Sequence, residues 1–184
     1  MVLTETSATA LGTVAPAFSL RGVDDKTWTP DAARGKNGLV VMFICNHCPY
    51  VKAVREKMIR DAMDLAALDV GVIAINSNDP SDYPEDSFEN MRRVAREFAY
   101  PFPYVFDETQ AVAKSYGAVC TPEFFGYDKD LKLRYHGRLD ASGRSPDPSV
   151  RRELFNAMTQ IARTGQGPAE QHPSIGCSIK WARR

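Results

Sequence analysis

Two cysteines separated by two residues, Cys45 and Cys48, follow an unbroken apolar run and precede a helical pattern in Phe43-Ile44-Cys45-Asn46-His47-Cys48-Pro49-Tyr50. That spacing suits reversible thiol–disulfide chemistry. At the mouth of a helix, unsatisfied backbone N–H groups and the positive end of the dipole favour an anion, so Cys45 is the expected nucleophile. Cys48, about one helical turn further on, is expected to attack a mixed disulfide on Cys45 and release the partner. His47 stands between them. As a cation it lowers the Cys45 pKa and favours the reduced pair; otherwise it is a solvated residue at the helix start.

The elements that must position this pair are legible around it. Residues 39–44 are uninterrupted apolar, the pattern of a strand covered on both faces, which puts Cys45 at its C-terminal end, where open α/β sheets place their chemistry. From Pro49 to Leu68, Val51, Val54, Met58, Ala62 and Leu65 recur three or four apart, an amphipathic helix with Pro49 in its first turn. Val70 to Asn76 reads as a second buried strand. Strand, helix, strand in that order predicts a parallel pair joined by a right-handed crossover.

The chain has 184 residues, 43% hydrophobic and 25% charged, enough for a single domain with a full core. Lys plus Arg and Asp plus Glu both number 23, so neither a nucleic-acid partner nor an acidic tail is indicated. No secretory leader is read in the first fifteen residues, and no run approaches the roughly 20 apolar residues of a membrane span. The expected location is cytoplasmic. In that reducing compartment, four cysteines read as redox or metal chemistry before structural staples.

Elsewhere, residues 15–20 and 26–29 flank an Asp24-Asp25 turn and predict an N-terminal hairpin or two short strands. Ser77 to Ser87 reads as a loop, with Asp86 and Glu89 as a capping box for a helix carrying Phe88, Met91, Ala95 and Phe98. Residues 104–106 predict a short strand, and Thr109 to Tyr116 a short helix closed by Gly117. Residues 123–127 and 131–136 form a predicted antiparallel hairpin about Asp128-Lys129-Asp130. Asp147 and Pro148 are read as N-cap and first position of a last helix that ends at Gly165. The remainder is expected to be an extended tail, draped over the domain or partly mobile.

Taken together, the order of elements resembles the thioredoxin fold: α/β, a central mixed sheet flanked by helices, with an N-terminal strand or hairpin extension. The resemblance spans about residues 12–181, with a core of about 12–164 and a tail of 165–184 in one domain of 1–184. Ala15-Pro16-Ala17-Phe18-Ser19-Leu20 and the insertion around 77–106 are similar to the redoxin branch, AhpC/TSA-like or TlpA-like. The Cys-Asn-His-Cys segment, Thr121-Pro122-Glu123-Phe124-Phe125 and Pro173-Ser174-Ile175-Gly176-Cys177-Ser178-Ile179-Lys180-Trp181 resemble a narrower bacterial group. The resemblance implies that Pro122 is cis and faces the cysteine pair, and that Thr121 presents its backbone to an extended substrate strand. It implies a thiol-disulfide oxidoreductase, with a protein or small-molecule disulfide or thiol as substrate, a thiol electron donor, antioxidant activity and no cofactor.

Departures from the family pattern leave other readings open. No buried aspartate lies in strand 39–44, so Glu56 and Glu123 are the acidic candidates nearest in sequence for a proton acceptor. Peroxiredoxins carry a threonine three residues before the reactive cysteine; here Met42 precedes Cys45 and Cys45 precedes Cys48, which makes a peroxidase the second choice. Cys120 and Cys177 are packing residues or auxiliary thiols. A zinc site of Cys45, Cys48, His172 and Cys177 has plausible spacing, although no metal is the preferred expectation. A redox-inert binding module is the remaining alternative.

Overall fold

The computed structural model describes residues 3–6, 9–145 and 147–183. The chain begins with β1 (Leu3–Glu5), β2 (Leu20–Gly22), β3 (Thr27–Trp28) and a one-turn helix α1 (Pro30–Ala33). The central unit follows as β4 (Gly38–Phe43), α2 (Pro49–Ala66) and β5 (Val70–Asn76). Next come α3 (Phe88–Glu97), β6 (Tyr104–Phe106), α4 (Ala111–Tyr116), β7 (Cys120–Thr121), β8 (Glu123–Tyr127) and β9 (Leu133–Gly137). The last two elements are α5 (Glu153–Thr164) and β10 (Ile175–Ser178).

Seven strands form one mixed sheet in the order β3-β2-β6-β5-β4-β8-β9. Strands β4 and β5 are parallel, with Val40 opposite Val72, as are β5 and β6; β8 runs antiparallel to β4 and to β9. This is the thioredoxin-like arrangement of a mixed sheet flanked by helices. The unbroken apolar run of β4 has a direct cause, since side chains alternate between faces and both faces are covered. Val40, Met42 and Ile44 pack with Met58 of α2 and Met158 of α5, while Leu39, Val41 and Phe43 pack with Tyr116 and Phe125 on the other side. Among the described residues no helix is long and apolar enough to cross a membrane.

Two local expectations are corrected. Asp86 does not cap α3: Ser87 is the N-cap, its side chain accepting from Asn90 N, and Asp86 turns inward. Asp147 does not start α5, because its carboxylate accepts from the N–H and hydroxyl of Ser149, closing a local turn, and the helix begins at Glu153. The tail, expected as extended and draped over the domain or partly mobile, lies over the domain as an extended strand. Its β10 is the middle strand of a separate three-stranded sheet, β1-β10-β7, antiparallel to both neighbours. A Cβ on Gly176 would collide with the Thr121 carbonyl oxygen, so glycine is what allows β10 this close to β7.

Candidate active site

Cys45 lies two residues past the end of β4, where the Ile44 N–H still bonds to Ile75 O and extends the register of the sheet. The helix opens where the sequence reading places it. Pro49 is its first residue and Cys48 is the N-cap, with no side-chain cap bond. It is therefore Cys48 that sits closest to the converging N–H groups of the first turn.

The two cysteines share a hydrogen bond, and it divides their charge. Cys48 is lowered to about 5, first by the hydrogen bond from Cys45; burial opposes this, while Cys177, the Val51 N–H and Thr121 reinforce it. Cys45 is pushed well above the ordinary thiol value by burial, by the same hydrogen bond and by the nearby Asp86 carboxylate. The direction differs from the expected Cys45 thiolate: burial and the shared hydrogen bond disfavour the charge on Cys45, and that hydrogen bond favours it on Cys48. When Cys48 is protonated, its thiol donates to Thr121 O at 3.2 Å. Both sulfurs are covered, Cys45 at 1% and Cys48 at 0% exposure.

His47 is tied down from the side. Its Nδ1 lies 2.5 Å from Asp86 Oδ2 and 3.9 Å from Cys45 Sγ, and its ring stacks on Tyr83 with centroids 4.5 Å apart. Asp86 is fully buried and clamps the whole turn. It accepts from the backbone N–H groups of Asn46 (2.7 Å) and His47 (3.1 Å) and from Asn78 Nδ2 (2.8 Å). Burial works against the Asp86 carboxylate, yet the His47 and Asn78 hydrogen bonds hold it below its ordinary value. Sequence reasoning missed this residue; its only visible signal, an acid ahead of an apolar helix, points to a cap.

Opposite the pair, the Thr121-Pro122 peptide is cis, as the resemblance implies. Thr121 Oγ1 is 3.3 Å from Cys45 Sγ. The edge of β7 that would receive a substrate strand is occupied by β10, with Cys177 opposite Thr121 and Ser178 opposite Cys120. A cavity of about 390 Å³ lies beside this edge, lined by Tyr50, Val54, Pro122, Phe124 and Ile175, with Arg144 at its rim.

The remaining candidates separate. Cys177 Sγ lies 3.0 Å from Cys48 Sγ, and burial, then Cys48, push its thiol up to about 12. Cys120 is buried with its sulfur 3.8 Å from Glu123 Oε2, and burial together with that carboxylate raises its thiol. Glu123 does not touch the pair: it accepts from the N–H groups of Val119 and Cys120 and meets His136 Nε2 at 2.7 Å. Glu56 is exposed on α2. The four-ligand zinc alternative does not assemble, since His172 is engaged by Glu153 at 3.1 Å and Glu170 at 3.2 Å. Cys45, His47 and Asp86 do offer ligand atoms within 4.8 Å of one another, although the His47 and Asp86 atoms already bond to each other.

These charges predict a measurable titration. The reduced protein should show thiolate absorbance at neutral pH that disappears near pH 5, the value to which Cys48 is lowered. Cys48→Ser should abolish the signal and Cys45→Ser should retain it, because a serine hydroxyl can still donate to Cys48. Loss in Cys45→Ser alone would place the charge on the other sulfur.

A model described as AhpC/TSA family matches residues 11–136. A search of curated proteins finds no match. Among solved structures, an uncharacterized conserved protein from Geobacillus kaustophilus is 44% identical, with all of this chain and 98% of that one covered and a TM-score of 0.93. A hypothetical protein from Sinorhizobium meliloti 1021 is 37% identical over 97% of this chain and 98% of its own, with a TM-score of 0.92. A thiol:disulfide interchange protein of the thioredoxin family from Chlorobium tepidum TLS is 19% identical over 84% of this chain and 99% of its own, at 0.62. That last likeness bears on the fold alone.

Proposed function

This chain belongs to the AhpC/TSA family, and from that premise we propose that it is a thiol-disulfide oxidoreductase whose Cys45 and Cys48 cycle between dithiol and disulfide. The observation that carries the reading is the placement of the two buried sulfurs at the strand–helix junction, facing the cis Thr121-Pro122 peptide, with Thr121 Oγ1 3.3 Å from Cys45 Sγ. In the oxidised protein an incoming thiolate attacks Cys45 Sγ. The S–S bond breaks and Cys48 departs as the stabilised thiolate, which a low pKa favours. In the reverse direction Cys45 passes its proton to Cys48 and attacks a disulfide; the first departing thiolate takes that proton from Cys48, and the Cys48 thiolate then attacks Cys45 Sγ, closing the Cys45–Cys48 bond as the second thiolate leaves. Stabilising the reduced pair in this way makes its disulfide more oxidising.

His47 and Asp86 position the turn in this reading, and Thr121 faces Cys45. Because β10 already takes the β7 edge, the substrate assigned to Cys45 is a small disulfide or thiol rather than an extended polypeptide, with a thiol as electron donor and a reducing, cytoplasmic setting. The test is turnover of a small aromatic disulfide with a thiol donor. Wild type should catalyse it and Cys45→Ser should not; equal rates in the two proteins would sink the assignment.

A thiol peroxidase centred on Cys48 is the second reading, favoured by the position of Cys48 as N-cap of α2 and by the hydrogen bonds that lower its thiol. Rapid hydrogen peroxide consumption by Cys45→Ser would select it.

A further inference from the structure

Strand β10 lies where a substrate strand would lie, and it brings a thiol with it. Its register on β7 puts Cys177 opposite Thr121, and the approach is close enough that only glycine fits at 176. Bonds on both sides pin the strand: Ser174 Oγ donates to Gly137 O at 2.6 Å, Ile179 N to Val119 O at 3.0 Å, and Lys180 N to Asn78 Oδ1 at 2.9 Å. Strand β1 holds its other edge. The result is a buried sulfur, Cys177 Sγ, 3.0 Å from Cys48 Sγ. That separation exceeds a covalent S–S bond of about 2.05 Å and lies inside ordinary non-bonded sulfur contact.

Resting on the two-cysteine reading above, we infer that Cys177 is a third redox cysteine and β10 an internal substrate: the Cys177 thiolate attacks Cys48 Sγ of the Cys45–Cys48 disulfide and Cys45 leaves as thiolate. One S–S bond, Cys48–Cys177, forms as another, Cys45–Cys48, breaks. No electrons enter or leave, and the proton lost by Cys177 ends on Cys45. Thr121 Oγ1, 3.3 Å from Cys45 Sγ, is placed to donate to the departing sulfur. The exchange stores the oxidising equivalent on a bridge sealed beneath β10 and returns Cys45 to the thiol state.

The step needs the Cys45–Cys48 disulfide as electrophile and so belongs to the oxidised protein. In the reduced state burial and the Cys48 sulfur hold the Cys177 proton in place, against the opposing pull of Lys180 and Arg144. Once Cys48 is in a disulfide it carries no charge, and that part of the restraint is gone.

The test reads disulfide connectivity. Full-length protein is oxidised with diamide, desalted, quenched in acid, alkylated in denaturant and digested without reductant before mass spectrometry. Wild type should yield both Cys45–Cys48 and Cys48–Cys177 linked peptides, interconverting after desalting with total disulfide unchanged. Cys177→Ser should retain only the first and Cys45→Ser should form the second. The inference is overturned when wild type yields Cys45–Cys48 alone and Cys45→Ser forms no Cys48–Cys177 bridge, or when Cys177 is joined to Cys120 instead; the two-cysteine chemistry then survives. A Cys177→Ser protein that forms no Cys45–Cys48 bridge sinks that chemistry itself and takes the exchange with it.

Discussion

Cys48→Ser is expected to cut turnover of a small disulfide by roughly a thousandfold or more, the scale on which loss of one member of a concerted nucleophile set is felt, and to leave the substrate bound to Cys45. Two losses combine. Serine cannot attack the Cys45 adduct, so the covalent intermediate has no internal exit. It also cannot hold the negative charge that Cys48 holds at about 5, so Cys45 loses the base that takes its proton. Mass spectrometry of the stalled protein should find the substrate's half-disulfide on Cys45, at stoichiometry that rises with substrate and is cleared by added thiol. An adduct on Cys120 or Cys177 in its place would move the reacting centre.

Asp86→Asn is expected to destabilise the fold by about 3 kcal/mol, the upper end of the range for losing hydrogen bonds to a buried charged group. The carboxylate is at 0% exposure and holds four groups at once: two backbone N–H donors, Asn78 Nδ2 and the His47 ring. An amide offers one acceptor oxygen and turns its NH2 toward donors. The pH dependence has a definite sign. The folded pKa lies below the ordinary 3.8, so the carboxylate stabilises the fold above that value, and its contribution is lost as pH falls through the lower folded one. Denaturant melts of wild type and Asp86→Asn should therefore differ most at neutral pH and converge well below pH 3.8. Removing the charge also relieves one of the causes that raise Cys45, so the same variant should be less stable and yet have a more acidic Cys45. A gap that persists unchanged in acid would show that packing, not charge, is what the substitution removes.

The parts of this architecture that the sequence declares are those whose signal is local and apolar. The six buried positions of β4, the three-and-four spacing of α2 and the run of β5 are each decided by which faces the sheet covers, and they sit within two residues of where pattern places them. The parts that mislead are those where a polar residue has two local uses. Asp86 and Asp147 both fit a capping pattern, but one is drawn inward by the N–H groups of a turn 39 and 40 residues away in sequence, and the other is satisfied by Ser149. The tail gives no strand pattern because β10 is four residues long and pairs with a two-residue strand, too short for alternation to register. Cys45 and Cys48 announce themselves by spacing. The division of charge between them does not, since it depends on where the helix opens and on a carboxylate that arrives from a distant loop.

The first and last strands of the chain meet in one small sheet that roofs the sulfurs. Sheets built from segments of two to four residues come apart at far lower cost than the main body of a domain, so contact between the sulfurs and reagents outside follows the fraying of these ends rather than global unfolding. A trace of urea too dilute to melt the seven-stranded sheet would then quicken the protein's reaction with thiol reagents, and a ligand that clasped the two ends together would silence it without touching either cysteine.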